Sequence, residues 1–126
     1  MSSQRPVIEM KNQSFRNKLS NAFSGIIFTW RNESNFRRQI ILAIFTFAFF
    51  LVLRPDPLWW ALIILCVGLV LATEMINSAI EALIDYLHPE IHPAIGKVKD
   101  VMAGMVLILS LTTIIIAFLA IYDSLI

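Results

Sequence analysis

A single cysteine, Cys66, stands in the whole chain, so neither a disulfide framework nor a thiolate metal site can be built. It lies inside an apolar run and reads as a small packing residue. Phosphate loops, glycine-rich kinase loops, His-Arg-Asp catalytic loops and nucleophile elbows are all missing. Any phosphate chemistry here must therefore be built unlike that of soluble kinases. Residues 1–38 hold no apolar core followed by a small-residue cleavage site, so no cleavable signal is expected. Charge is scarce as well. Only 15% of the 126 residues are charged and 58% are hydrophobic, which excludes an ordinary soluble domain of this length. No repeat or low-complexity tract is present, and no nucleic-acid partner is expected.

The apolar residues fall into three long runs without charge: Ile40 to Leu53, Pro57 to Thr73 and Val101 to Tyr122. The third, at 22 residues, is a bilayer span by itself. The first reaches that length if it begins near Phe36. The second does so if its helix carries carboxylates partly into the membrane. The expected fold is all-α, with spans near 36–53, 57–86 and 99–122. Residues 1–13 read as a polar tail, and 14–126 as one membrane domain.

Before the first span, Phe15, Leu19, Phe23, Ile26 and Trp30 recur at offsets of four, four, three and four. They form one apolar face, which predicts an amphipathic helix over about 14–31, suited to the membrane interface. An ordinary surface helix would show the same pattern. Seven of the ten basic residues lie in the first 38, two more are Lys97 and Lys99, and none follows Tyr122. The positive-inside rule then places the N-terminus and second loop in the cytoplasm, and the Arg54-Pro-Asp-Pro57 turn and C-terminus outside. Arg37 and Arg38 are expected to snorkel to headgroups. Trp59 and Trp60 read as interfacial lipid anchors.

Glu74 and Glu81 stand out against this background. About 17 uncharged residues lead directly into Glu74. An ionised side chain in lipid costs at least about 2.5 kcal/mol on lenient scales. Glu74, Asn77, Glu81 and Asp85 are spaced three, four and four apart, which puts them on one helix face. Glu33, Lys99 and Asp100 fall at a similar depth under the expected topology, with His92 in the loop between the second and third spans. Carboxylates bind Mg²⁺ together with substrate phosphates. A lysine attracts phosphate oxygens, and a further carboxylate can take a proton from an alcohol. These are parts for phosphoryl transfer to a hydroxyl in the membrane. Taken singly each has a plainer reading: Asp85 as a helix-end charge, Lys99 as a topological anchor, Asn77 as an interhelical hydrogen-bonding residue, His92 as an idle loop residue. A small transporter or an assembly subunit are the competing classes. Carboxylates gathered at one interface and the lack of an inverted repeat argue against the transporter.

The run Glu74-Met-Ile-Asn-Ser-Ala-Ile-Glu-Ala-Leu-Ile-Asp85, followed by Lys99-Asp100, resembles the prokaryotic diacylglycerol kinase family, which includes undecaprenol kinases. The pattern is roughly E-x-x-N-(S/T)-A-I-E-x-x-x-D, then a short His-containing loop and A-K-D or a variant. Asn32-Glu-Ser-Asn-Phe-Arg37 looks like the family's acidic elbow, and the likeness covers about residues 14–122. It implies an ATP- and Mg²⁺-dependent homotrimeric kinase of the bacterial inner membrane, each active site shared between subunits. By position, Glu74 would be the general base and Asn77 would orient groups near the transferring phosphoryl. Glu33 and Glu81 would hold metal. Lys99, Asp100, His92 and Glu90 would lie about the nucleotide, with Asn21 and Arg16 as possible contributors. Arg37 and Ala103, with Glu74, would face the lipid. The expected reaction is phosphorylation of diacylglycerol to phosphatidic acid, with undecaprenol as the alternative acceptor. Asn77 to Ala82 and Gly96 look like the diacylglycerol branch; His92-Pro93 and Ala103-Gly104 look more like the undecaprenol branch.

Overall fold

The computed structural model describes residues 14–87 and 93–126. The polar tail, Glu90 and His92 lie outside the described residues. Everything regular that is described is helical: α1 (Phe15–Asn32), α2 (Ser34–Leu53), α3 (Pro57–Leu87) and α4 (Pro93–Leu125). The chain divides into two compact units, one ending at Ser34 and the other running from Asn35 to Ile126.

In the first unit, Ser14 caps α1: its hydroxyl accepts from the Asn17 backbone N–H at 3.3 Å. That satisfies one of the amides a helix start leaves orphaned. At the other end the Asn32 side-chain amide donates to the Phe28 carbonyl at 2.8 Å. Glu33 turns extended, and its N–H closes the last turn on the Thr29 carbonyl. The stripe Phe15, Leu19, Phe23, Ile26 and Trp30 is exposed along its whole length.

In the second unit, α2 ends at Leu53 and Arg54 takes the left-handed conformation (φ 56°), its N–H bonded to the Phe50 carbonyl at 2.9 Å. Pro55 prevents the helix from continuing. Pro57 then occupies the first position of α3, where the missing N–H costs nothing. The Asp56 carbonyl accepts from Trp59 N–H at 2.9 Å. One residue, Asp56, thus closes a tight hairpin between two long apolar helices.

The packed core sits at this hairpin end. Phe50, Ile63 and Ala120 are fully buried, with Phe47, Trp59, Trp60, Ile116 and Ala117 around them. Trp60 meets Phe50 edge-on, with centroids 5.5 Å apart, and lies near Phe47 at 6.2 Å. Both distances fall in the range aromatic pairs prefer. Trp59 donates its indole N–H to Asp123 Oδ2 at 2.9 Å, tying the start of α3 to the end of α4. The two tryptophans therefore pack helices together, where the sequence suggests lipid anchors. Their half-buried rings serve the hairpin because the rotation of α3 turns Trp60 to Phe50 and Trp59 to Asp123. Trp59→Phe is expected to cost about 1 kcal/mol through loss of this bond, read as a lower unfolding temperature in detergent. An unchanged temperature would remove the tie from the account.

Cys66 is buried, as its place in the apolar run suggests. Phe36, Ala43, Val70 and Met102 are buried too, but most large apolar side chains outside the core are exposed, and only 6% of the most apolar stretch of α4 is buried within the chain. A helix that is apolar all round needs lipid or protein about it. α2, α3 and α4 are each long and apolar enough to cross a membrane. α4 begins at Pro93, six residues before Lys99, where the apolar pattern predicts the third span to start. Proline is favoured at a first helical position, so helix and apolar run need not begin together.

Candidate active site

Helix α3 carries the candidate site. Its residues Glu74, Asn77, Glu81 and Asp85 follow one another along a single face. Burial falls steadily along that face. Glu74 is 2% exposed, Asn77 and Glu81 are half-buried, and Asp85 is exposed. Asn77 Nδ2 donates to Glu81 Oε1 at 3.4 Å, one turn on. Glu74 is flanked by Thr73 and Ser78, both buried. The Thr73 hydroxyl is spent on the Leu69 carbonyl at 2.8 Å. Sequence reasoning passes over these two residues. Their only signal is a hydroxyl on each side of an intramembrane acid.

Depth can be measured from the hairpin end. α2 has 20 residues, about 30 Å of helix, which matches the hydrocarbon thickness of a bilayer. Twenty residues from Pro57 along α3 reach Ile76, so Glu74 and Asn77 bracket the edge of such a slab. The last turns of α3 and the first of α4 extend beyond it. A buried carboxylate at that edge can meet a hydroxyl held in the lipid, while the half-buried Glu81 can meet a solute from water. This placement comes from helix length alone, and it gives the four polar residues two different environments.

The other expected site residues are spread over both units. Lys99 and Asp100 are exposed on the second turn of α4, and Ala103 is exposed one turn on. Arg37 is half-buried in the first turn of α2. In the first unit, Arg16 is exposed and Asn21 half-buried on α1, and Glu33 is the half-buried cap residue after it. Among the described residues no three His, Cys, Asp or Glu side chains gather tightly enough to grip a metal by themselves.

A sequence model of prokaryotic diacylglycerol kinase matches residues 20–121, which is most of the chain. The chain belongs to the prokaryotic diacylglycerol kinase family. Curated relatives of this lipid kinase family carry two names. A diacylglycerol kinase of Helicobacter pylori (strain J99) is 39% identical over 84 residues, covering 67% of this chain and 66% of its own length. The diacylglycerol kinase of Escherichia coli K12 is 32% identical over 94 residues, covering 75% and 77%. The undecaprenol kinase of Bacillus subtilis 168 is 28% identical over 117 residues, covering 87% and 95%. The kinase family match takes in α2 and α3 whole, together with Glu33, Lys99 and Asp100.

Proposed function

We propose that the protein is an ATP-dependent membrane lipid kinase that transfers the γ-phosphoryl group directly to the hydroxyl of diacylglycerol, giving phosphatidic acid. The observation that carries this reading is the buried Glu74 at the lipid edge of α3, inside a chain of this family. Glu74 is the general base: its carboxylate takes the hydroxyl proton as the lipid oxygen attacks phosphorus. Burial also keeps competing water from that oxygen. Asn77 orients groups beside the transferring phosphoryl. Lys99 places positive charge near the nucleotide phosphates, and Asp100, Glu90 and His92 lie about the nucleotide with Arg16 and Asn21. Arg37 and Ala103 border the lipid. Glu81 and Glu33 would hold the Mg²⁺ that accompanies ATP, which supplies charge neutralisation at the phosphates.

The exposed stripe of α1 lies on the membrane surface in this reading, with Trp30 as its anchor. The protein sits in a bacterial inner membrane, with the N-terminus and second loop cytoplasmic by the basic-residue bias. It works as a homotrimer with shared sites. The outward-facing apolar surface of α4 supports association, and the number three comes from the family resemblance alone.

Undecaprenol is the second acceptor to weigh, because the undecaprenol kinase relative aligns over 95% of its length. The test presents both lipids side by side, in vesicles with labelled ATP. A faster labelled product from diacylglycerol supports the proposal; a faster product from undecaprenol assigns the alternative. Cation flux without labelled lipid would replace both with a transporter. Glu33→Gln and Glu81→Gln should each raise the Mg²⁺ concentration needed for half-maximal rate, with partial rescue at high Mg²⁺. A variant with normal Mg²⁺ dependence removes its residue from the ligand set.

A further inference from the structure

A cavity of about 310 Å³ lies between α2, α3 and α4. It is continuous in sequence with the candidate site: Val70 and Leu71, in the turn of α3 just before Glu74, line it. Most of its wall is aliphatic, but Gln39, Thr46, Ser110 and Thr113 also face it. Polar residues on a wall at membrane depth need a reason. Two explain themselves. Thr46 Oγ1 donates to the Leu42 carbonyl at 2.8 Å and Thr113 Oγ1 to the Leu109 carbonyl at 2.7 Å. Their donors are used within their own helices. Neither the Gln39 amide nor the Ser110 hydroxyl makes such a bond to a described residue. The cavity thus offers two kinds of uncommitted donor in a wall otherwise suited to hydrocarbon.

Their depth can be set against Glu74. The Trp59–Asp123 bond fixes one level shared by α3 and α4. Glu74 lies 15 residues after Trp59, and Ile108 lies 15 before Asp123, so the two are nearly level. Ser110 is two residues nearer the hairpin end, about 3 Å deeper at the helical rise. A hydroxyl held at Glu74 would therefore have its next few atoms at the depth of Ser110. In a diacylglycerol those atoms include an ester carbonyl, a pure acceptor. In a polyprenol they are hydrocarbon with nothing to accept.

We propose that the cavity is the ester-recognition subsite for the lipid alcohol, in which the Gln39 amide and Ser110 hydroxyl donate to an acyl carbonyl and favour acylglycerols over polyprenols. The inference rests on the lipid kinase reading and adds to it the residues that tell an ester from plain hydrocarbon. A donor built to meet an acceptor penalises any substrate that leaves it unpaired.

The test compares a diacylglycerol with its dialkyl ether, which keeps hydroxyl and chain length but has no carbonyl. Both are given to the full-length protein in vesicles, with a polyprenol alongside. The wild type should prefer ester to ether by about five- to twentyfold in kcat/KM, the worth of one or two hydrogen bonds. Ser110→Thr, which keeps a hydroxyl, should hold the preference. Gln39→Leu combined with Ser110→Ala should bring the ester-to-ether ratio to about one. Equal wild-type rates on ester and ether would overturn the subsite while leaving the kinase reading in place. That is also the result if a neighbouring copy of the chain fills the cavity. A preference that survives the double substitution overturns it too. The wild-type comparison needs no variant to fold. Labelling of no lipid alcohol at all would instead defeat the kinase reading, and the subsite with it.

Discussion

Glu74→Gln should lower kcat by about 10²- to 10⁴-fold, the range general-base catalysis contributes, while nucleotide binding stays close to normal. The substitution keeps size and hydrogen-bonding capacity but removes the basic oxygen. Glu74 is the most buried acid on its helix face, and it sits where a lipid hydroxyl would surface. The half-buried Glu81, two turns on, remains for the phosphate side. An isosteric amide should also relieve whatever burial of a carboxylate costs, so the variant is expected to be at least as stable as the wild type. A stable, nucleotide-binding, inactive protein is the signature. A loss of less than tenfold would take the base role away from Glu74.

The second large effect is a recovery. At low Mg²⁺, where the Glu33 substitution is not rescued, a Glu74→Gln chain and a Glu33→Gln chain are each expected to be nearly inactive alone. If each site draws Glu33 from one chain and Glu74 from its neighbour, random mixing leaves about a quarter of sites with both acids intact, as a ring of head-to-tail interfaces requires. Activity should return to about that fraction of wild type. The mixture must be assembled by unfolding and refolding the two chains together, with mixing checked by two affinity tags. No recovery in well-mixed oligomers would mean that each chain holds a complete site. The outward apolar face of α4 makes association expected on physical grounds, because so little of it is covered within one chain.

Much of the architecture is legible in the residues themselves. Three uncharged runs separated by Pro55–Pro57 and by His88–Pro93 leave few alternatives to long helices. The same patterning exposes Glu74, because a carboxylate after about 17 uncharged residues has no solvent excuse. The graded burial from Glu74 to Asp85 is implicit in the spacing, since one face of one helix crosses from lipid depth towards water. Less legible is anything that depends on helix rotation about its own axis. Trp59 and Trp60 look like a lipid-facing belt in the sequence because they follow a proline turn. The rotation of α3 instead brings Trp60 against Phe50 and Trp59 to Asp123, 64 residues away. The cavity is hidden for the same reason. Gln39, Thr46, Ser110 and Thr113 look like stray polar residues in or beside two separate apolar runs, and only the packing of three helices puts them on one wall. Glu33 is different again. It caps a helix in the first unit, away in sequence from the α3 stripe, so a role for it beside Glu74 and Glu81 is a proposal about assembly that no local pattern encodes.

The central claim is direct transfer from ATP to a lipid hydroxyl, and the fate of the γ-phosphoryl group tests it most directly. The purified protein in diacylglycerol-containing vesicles is given γ-labelled ATP and Mg²⁺, and label is followed in lipid extract, free phosphate and protein. The expected result is label in phosphatidic acid in step with ADP release, with none bound to protein at any time. Label accumulating on the protein, or released as free phosphate with no lipid product, would contradict it.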